Sequence, residues 1–157
     1  MNRSGAAALA IFLLMVFAVG LAGSVSTAGS VKTWYPSLIK PSWTPPSWVF
    51  GPVWTFLYIT IALSGWLIWR ERARRNITAP MTVFFLQLLL NGLWSYLFFG
   101  LRNPGLALVD ITGLLLLTAA YAVLSWRVSR AASALFLPYI CWVGFATALN
   151  YGIWTLN

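Results

Sequence analysis

Apolar positions in this chain do not alternate and do not form one stripe. They fill five long runs, at about 5–26, 47–69, 80–100, 104–126 and 133–154. A hydrocarbon core of about 30 Å takes roughly 20 helical residues, so each run can span a bilayer. Polar punctuation separates them: "RERARRN" after the second run, "LRNPG" after the third and "RVSRAAS" after the fourth. Pro104 suits a first helical turn, where its missing N–H costs nothing. Connections this short make neighbouring helices antiparallel. Lipid offers no partner to backbone polar groups, so the runs must close their own hydrogen bonds as helices. The expected fold is an all-α integral membrane protein, a single bundle of five transmembrane helices. The first run has an alternative reading as a cleaved signal peptide, with Arg3 as its positive start. Its apolar part exceeds the usual length of roughly 7–15 residues, which favours a retained helix.

Composition agrees. Of 157 residues, 61% are hydrophobic and 8% charged, and the mean hydropathy is +0.82. Too few polar residues remain to cover a soluble globule of this size. The net charge of +8 could point to nucleic acid, but the basic residues sit in the breaks between apolar runs. That placement indicates membrane topology, and no nucleic-acid partner is expected. Arg3, Arg70, Arg72, Arg74, Arg75, Arg127 and Arg130 fall on one side of a five-span chain. Lys32, Lys40 and Arg102 fall on the other. Excess positive charge stays inside, so the N-terminus is expected in the cytoplasm; a bacterial inner membrane is the expected location, though the charges do not decide it. The chain has no His, and its acidic residues are Glu71 and Asp110. A protein-ligated zinc site, a Ser-His-Asp triad and a two-carboxylate hydrolase are thereby disfavoured, and no metal site is expected. The lone Cys141 rules out an internal disulfide.

The connector between the first two runs, assigned to about 28–46, is unlike the others. Residues 34–50 read "WYPSLIKPSWTPPSWVF". Pro36, Pro41, Pro45 and Pro46 deny it a helix and lower the entropy lost on ordering. It is expected either to hold one shape as a lid over the outer mouth or to rest on headgroups through its Trp side chains. Trp34, Trp43, Trp48, Trp66, Trp69, Trp126 and Trp154 fall near span ends, where an interfacial belt explains them. Trp54, Trp94 and Trp142 lie deeper. At a rise of about 1.5 Å per residue they sit about 10, 9 and 18 Å below the outer boundary. Asn91, Asp110 and Asn150 fall at about 13, 8 and 6 Å. Buried indoles and intramembrane polar groups both need partners, so they are expected on the bundle interior. The product is either a ligand cavity with apolar walls and a few polar groups, or helices joined by polar hydrogen bonds.

On the fifth helix Trp142, Ala146 and Asn150 form one stripe, with Ala146 leaving a gap for a flat molecule. Gly144, Ala148 and Gly152 form another, which reads as a packing face toward a helix of the chain or a second subunit. Asp110, near a helix N-terminus, is read as structural. An intramembrane acid with a functional role is the alternative.

"WYPSLIKPSWTPP", the "VW" of the second helix, "LNGLWSYLFFG" and "PYICWVGFATALNY" together resemble the tryptophan-rich sensory protein family. This is also the translocator protein or peripheral-type benzodiazepine receptor family. The resemblance runs from the first helix to Tyr151. It implies a five-helix membrane bundle, often homodimeric, that binds protoporphyrin IX or other flat hydrophobic ligands. Synthetic benzodiazepine-receptor-type ligands are included, and no cofactor is required. The matching loop positions are Trp34, Tyr35, Pro41, Trp43 and Pro45, with Pro46 also shaping the loop. The matching pocket positions are Trp54, Asn91, Trp94, Trp142 and Ala146. Asn150 joins them by its place on the stripe. The resemblance further implies that Trp54 and Trp142 act in a light-dependent degradation of the porphyrin. The family's animal sterol motif is incomplete here, since no basic residue follows Tyr151.

A sensor or regulator that binds tetrapyrroles is therefore expected, with light- and oxygen-dependent porphyrin destruction as a possible activity. A carrier of porphyrin, lipid or sterol is the alternative. Lys40 and Lys32 are at the mouth, where they either meet propionates or stay solvated. Without His, a strong haem site is not expected.

Overall fold

The computed structural model describes residues 3–157, with side chains from residue 4 onward. The Arg3 side chain used in the charge argument lies outside the described residues. Five helices, α1 (Arg3–Thr33), α2 (Ser47–Arg70), α3 (Thr78–Ser95), α4 (Pro104–Trp126) and α5 (Arg130–Leu156), make up the bundle. All five are long and apolar enough to cross a membrane. α1 packs on α2 and α3, α2 on α5, α5 on α4 and α4 on α3. Around the bundle the order is therefore α1, α2, α5, α4, α3, and sequence neighbours α2 and α3 barely touch.

Local chemistry sets most of the helix ends. Asn103 caps α4, accepting from the Leu106 N–H at 3.0 Å, with Pro104 in the first turn. Ser129 caps α5 by accepting from Ala132 N–H. Such caps satisfy donors that a helix start leaves free. α3 runs on through a wide π-helical turn, Tyr96–Gly100. The Leu101 N–H reaches the Tyr96 carbonyl and the Asn103 N–H the Leu97 carbonyl, which closes the turn before α4. Arg102 takes the reversal with φ 52°.

One boundary differs from expectation. The first helix does not stop near 26 but continues to Thr33, which removes residues 28–33 from the connector. Ser24, Thr27 and Thr33 bond back to carbonyls one turn earlier, so their hydroxyls do not compete with the helix. Pro36 is the first true breaker. The ordered connector is residues 34–46. α5 likewise begins at Arg130 rather than 133, because its cap lies at Ser129.

The bundle has two ends, one carrying the connector and one carrying the arginines. The main core spans its middle and the arginine end, built on Leu57, Ile61, Phe84, Leu114, Tyr121, Phe136 and Tyr139. Phe98, Ala107, Leu149 and Ile153 form a smaller core at the loop end, with Trp34 and Tyr35 packed onto it.

Candidate functional site

Between the two cores lies a cavity of about 560 Å³, within the usual range for small-molecule sites. It opens at the loop end and is bounded by α1, α2, α3 and α5. Of the residues expected at a site, Tyr35, Trp54, Asn91, Trp94, Trp142, Ala146 and Asn150 are on its wall. The deep Trp residues of three different helices thus meet at one place.

Four polar groups of the wall, on Tyr58, Asn91, Trp94 and Asn150, are anchored. The Trp94 indole donates to Asn150 Oδ1 at 3.0 Å, and Asn150 Nδ2 donates to the Pro104 carbonyl at 2.8 Å. That chain ties α3 to α5 and to the start of α4. Asn91 Nδ2 donates to the Tyr139 hydroxyl at 2.8 Å. The Tyr58 hydroxyl donates to Asn91 Oδ1 at 3.5 Å, a long contact. These bonds engage both ends of the Asn91 and Asn150 amides and tie the neighbouring rings to them. Trp54 leans over Tyr58 with centroids 5.2 Å apart, and Trp142 meets Phe50 and Phe145 at 5.8 and 5.5 Å. Trp94 stacks on Phe98 at 5.2 Å. Ala146 sits one turn from both Trp142 and Asn150 on the wall of α5, where its small side chain leaves room for a flat guest.

The remaining loop residues are not on the wall. Trp34 packs edge-on against Phe98 at 5.6 Å, and Trp43 against Phe145 at 5.6 Å. Pro41 fits over Gly152, where an added Cβ would stand 2.6 Å from Pro41 Cγ. Pro45 is half-buried in the descent to α2. Trp34 and Pro41 hold the loop onto the helix ends beneath, while Trp43 touches Phe145 and stays exposed. The Ile39 backbone also exchanges two bonds with the Asn157 side chain, at 3.0 and 2.9 Å. Tyr35 reaches the cavity and its ring lies under Lys40 Nζ at 4.9 Å. Burial pushes the Tyr35 phenol above its ordinary value, so it stays a neutral hydrogen-bonding group.

The two lysines separate. Lys40 Nζ turns back onto the Leu38 and Pro36 carbonyls, whereas Lys32, on the last turn of α1, borders the cavity. The Gly144, Ala148 and Gly152 stripe also divides: Gly144 faces Leu115 of α4, Ala148 is exposed, and Gly152 receives the loop. Asp110 is buried on α4 and does not line the cavity; its Oδ2 has no partner among the described residues.

Sequence reasoning missed Tyr58, Tyr139 and the α1 wall. Tyr58 lies one turn beyond Trp54, a spacing that could have flagged it. Tyr139 gave no signal beside Pro138. The α1 wall is made of Gly20, Gly23, Ser24 and Thr27, small residues with no chemical signature. Their role is close approach: a Cβ on Gly20 would fall 2.3 Å from the Tyr58 ring.

The TspO/MBR family model matches residues 11–155. Tryptophan-rich protein TspO of Archaeoglobus fulgidus is 48% identical over 145 residues, covering 92% of this chain and 94% of the relative. The translocator protein of Homo sapiens is 40% identical over 137 residues, 86% of this chain and 81% of the relative. The tryptophan-rich sensory protein of Cereibacter sphaeroides is 32% identical over 148 residues, 94% and 92%.

Proposed function

The chain belongs to the TspO/MBR family of membrane proteins, and from that premise we propose that it is a membrane sensor or regulator that binds protoporphyrin IX in the loop-end cavity. The observation that carries this reading is the meeting of Trp54, Trp94 and Trp142 around the gap at Ala146, under an ordered loop. A flat aromatic macrocycle gains ring contacts from such a wall, each worth about 0.5–1.5 kcal/mol beyond area burial. Lys32, at the cavity border, is the cation placed to meet a propionate. The printed names of relatives, "sensory" for one and "translocator" for others, are compatible with a ligand-handling membrane role.

Trp54 and Trp142 are also the residues against which an excited porphyrin would lie. Light- and oxygen-dependent loss of the porphyrin is accordingly part of the proposal. The carrier alternative rests on the name of the translocator relatives. It ranks lower because α1, α2 and α5 run as continuous helices past the cavity and α3 only widens to a π-turn there, whereas carriers commonly break theirs at the substrate site.

The test is absorbance of the purified protein titrated with protoporphyrin IX in darkness and in light. A saturable spectral shift in darkness is expected, with bleaching in light that needs the protein. No saturable shift in darkness removes the binding proposal; binding without bleaching keeps the sensor and removes the photochemistry.

A further inference from the structure

At the arginine end a second concavity, about 440 Å³, opens between the α2–α3 connection and the α4–α5 turn. Its lining is Arg75, Trp126, Arg127, Val128 and Arg130. Three arginines border it with no carboxylate in the lining, and Glu71, the acid at this end, is not on the wall. An Arg75 Nη1 bond to the Arg127 carbonyl joins the two connections and sets the pocket's width. Arg130 is held over the Trp126 ring at 5.4 Å, and its fork has no hydrogen-bond partner among the described residues. Planar guanidinium forks match phosphate oxygens in pairs.

The approach to this pocket is apolar. Leu116, Ala119, Val123 and Trp126 follow one another along the outer face of α4 at helical spacing. Leu116 is 68% exposed, Val123 66% and Trp126 53%. This track runs from mid-helix to the arginines, with Trp126 at the level expected of an interfacial anchor. Three cations at the end of an apolar track fit a headgroup phosphate with an acyl chain attached, and not a free anion. Basic pockets between transmembrane helices are suited to anionic headgroups.

We propose that this pocket is a binding site for the phosphate of an anionic glycerophospholipid, with Arg75, Arg127 and Arg130 as its ligands and one acyl chain lying along α4. It is independent of the loop-end cavity and of what that cavity binds.

The experiment is native mass spectrometry of the full chain in detergent, titrated with dioleoylphosphatidylglycerol. Parallel arms use dioleoylphosphatidylcholine and sn-glycerol 1-phosphate. One phosphatidylglycerol per protomer is expected to stay bound at concentrations where phosphatidylcholine and glycerol phosphate do not. Arg75→Gln/Arg127→Gln/Arg130→Gln should weaken that retention about tenfold or more. Arg70→Gln/Arg72→Gln/Arg74→Gln removes the same charge from the same end outside the pocket and should change it less than about twofold. Arg130→Gln alone, at a side chain with no hydrogen-bond partner among the described residues, should weaken retention about threefold and serves if the triple variant does not fold. Equal losses in both triple variants would mean diffuse attraction, and equal retention of phosphatidylcholine an apolar annulus. Displacement by glycerol phosphate at matched concentration would mean a solute site. Any of these three overturns the proposal.

Discussion

Trp54 and Trp142 share a cavity wall yet have different neighbours. Trp54 leans on Tyr58, and Trp142 on Phe50 and Phe145. Replacing both by Phe keeps an aromatic wall and removes the oxidisable indoles. Porphyrin affinity should fall by about 1 kcal/mol for each of the two ring contacts weakened, while bleaching at matched occupancy should fall far more. Equal bleaching by this double variant and the wild type would remove Trp54 and Trp142 from the photochemistry. Gln87 poses a different question. Its side chain is 0% exposed and neither end of its amide has a partner among the described residues. A buried amide left without hydrogen bonds costs about 1–3 kcal/mol. Gln87→Leu keeps a similar volume and should raise the thermal unfolding midpoint in detergent, with a gain in that range. A lowered midpoint would show that the amide is satisfied and required. Of the cavity wall, Trp54, Asn91, Trp94, Trp142 and Asn150 were legible in the sequence by depth and residue type, whereas Tyr58 was overlooked. Gly20 and Gly23 were not legible, since a missing side chain announces nothing until its neighbour is known.

At the scale of elements, the connector is the informative case. Its prolines foretold a stiff segment, and residues 34–46 are indeed non-helical apart from a short turn at Tyr35–Ser37. Its starting point was misjudged because Ser, Thr, Gly and Ala are all compatible with a helix whose hydroxyls bond backward. Its attachment was not legible either. Pro41 docks on Gly152 and the Ile39 backbone on Asn157, contacts across more than a hundred residues. Gly152→Val would place atoms where Pro41 now sits. We expect faster amide hydrogen exchange over residues 38–44, with α5 protection unchanged, and weaker porphyrin binding. Unaltered exchange in that segment would show that the Pro41–Gly152 contact does not hold the loop.

For the whole molecule, the arginine distribution sets the expected orientation, with the arginine end in the cytoplasm and the connector outside. A single cysteine placed at Ser37, in a Cys141→Ala background, should react with a membrane-impermeant thiol reagent added to intact cells. Reaction only after the cytoplasm is opened would invert the topology. An outer connector would also bear on ligand supply, because the cavity would then be reached from the outer leaflet or the space beyond it.

What the sequence determined alone was the solvent and the element list. Five runs of bilayer length admit little besides helices, since lipid leaves backbone groups no other partner. The depth of each Trp followed from the helical rise. What only the tertiary structure decided was adjacency. The order α1, α2, α5, α4, α3 brings Trp54 and Trp142 to one cavity and leaves α2 and α3 nearly apart. That order depends on which small residues allow close approach and which long-range bonds close. The Trp94–Asn150–Pro104 chain joins residues 46 to 56 positions apart. No local pattern encodes such a pairing, because its energy exists only once the helices have met.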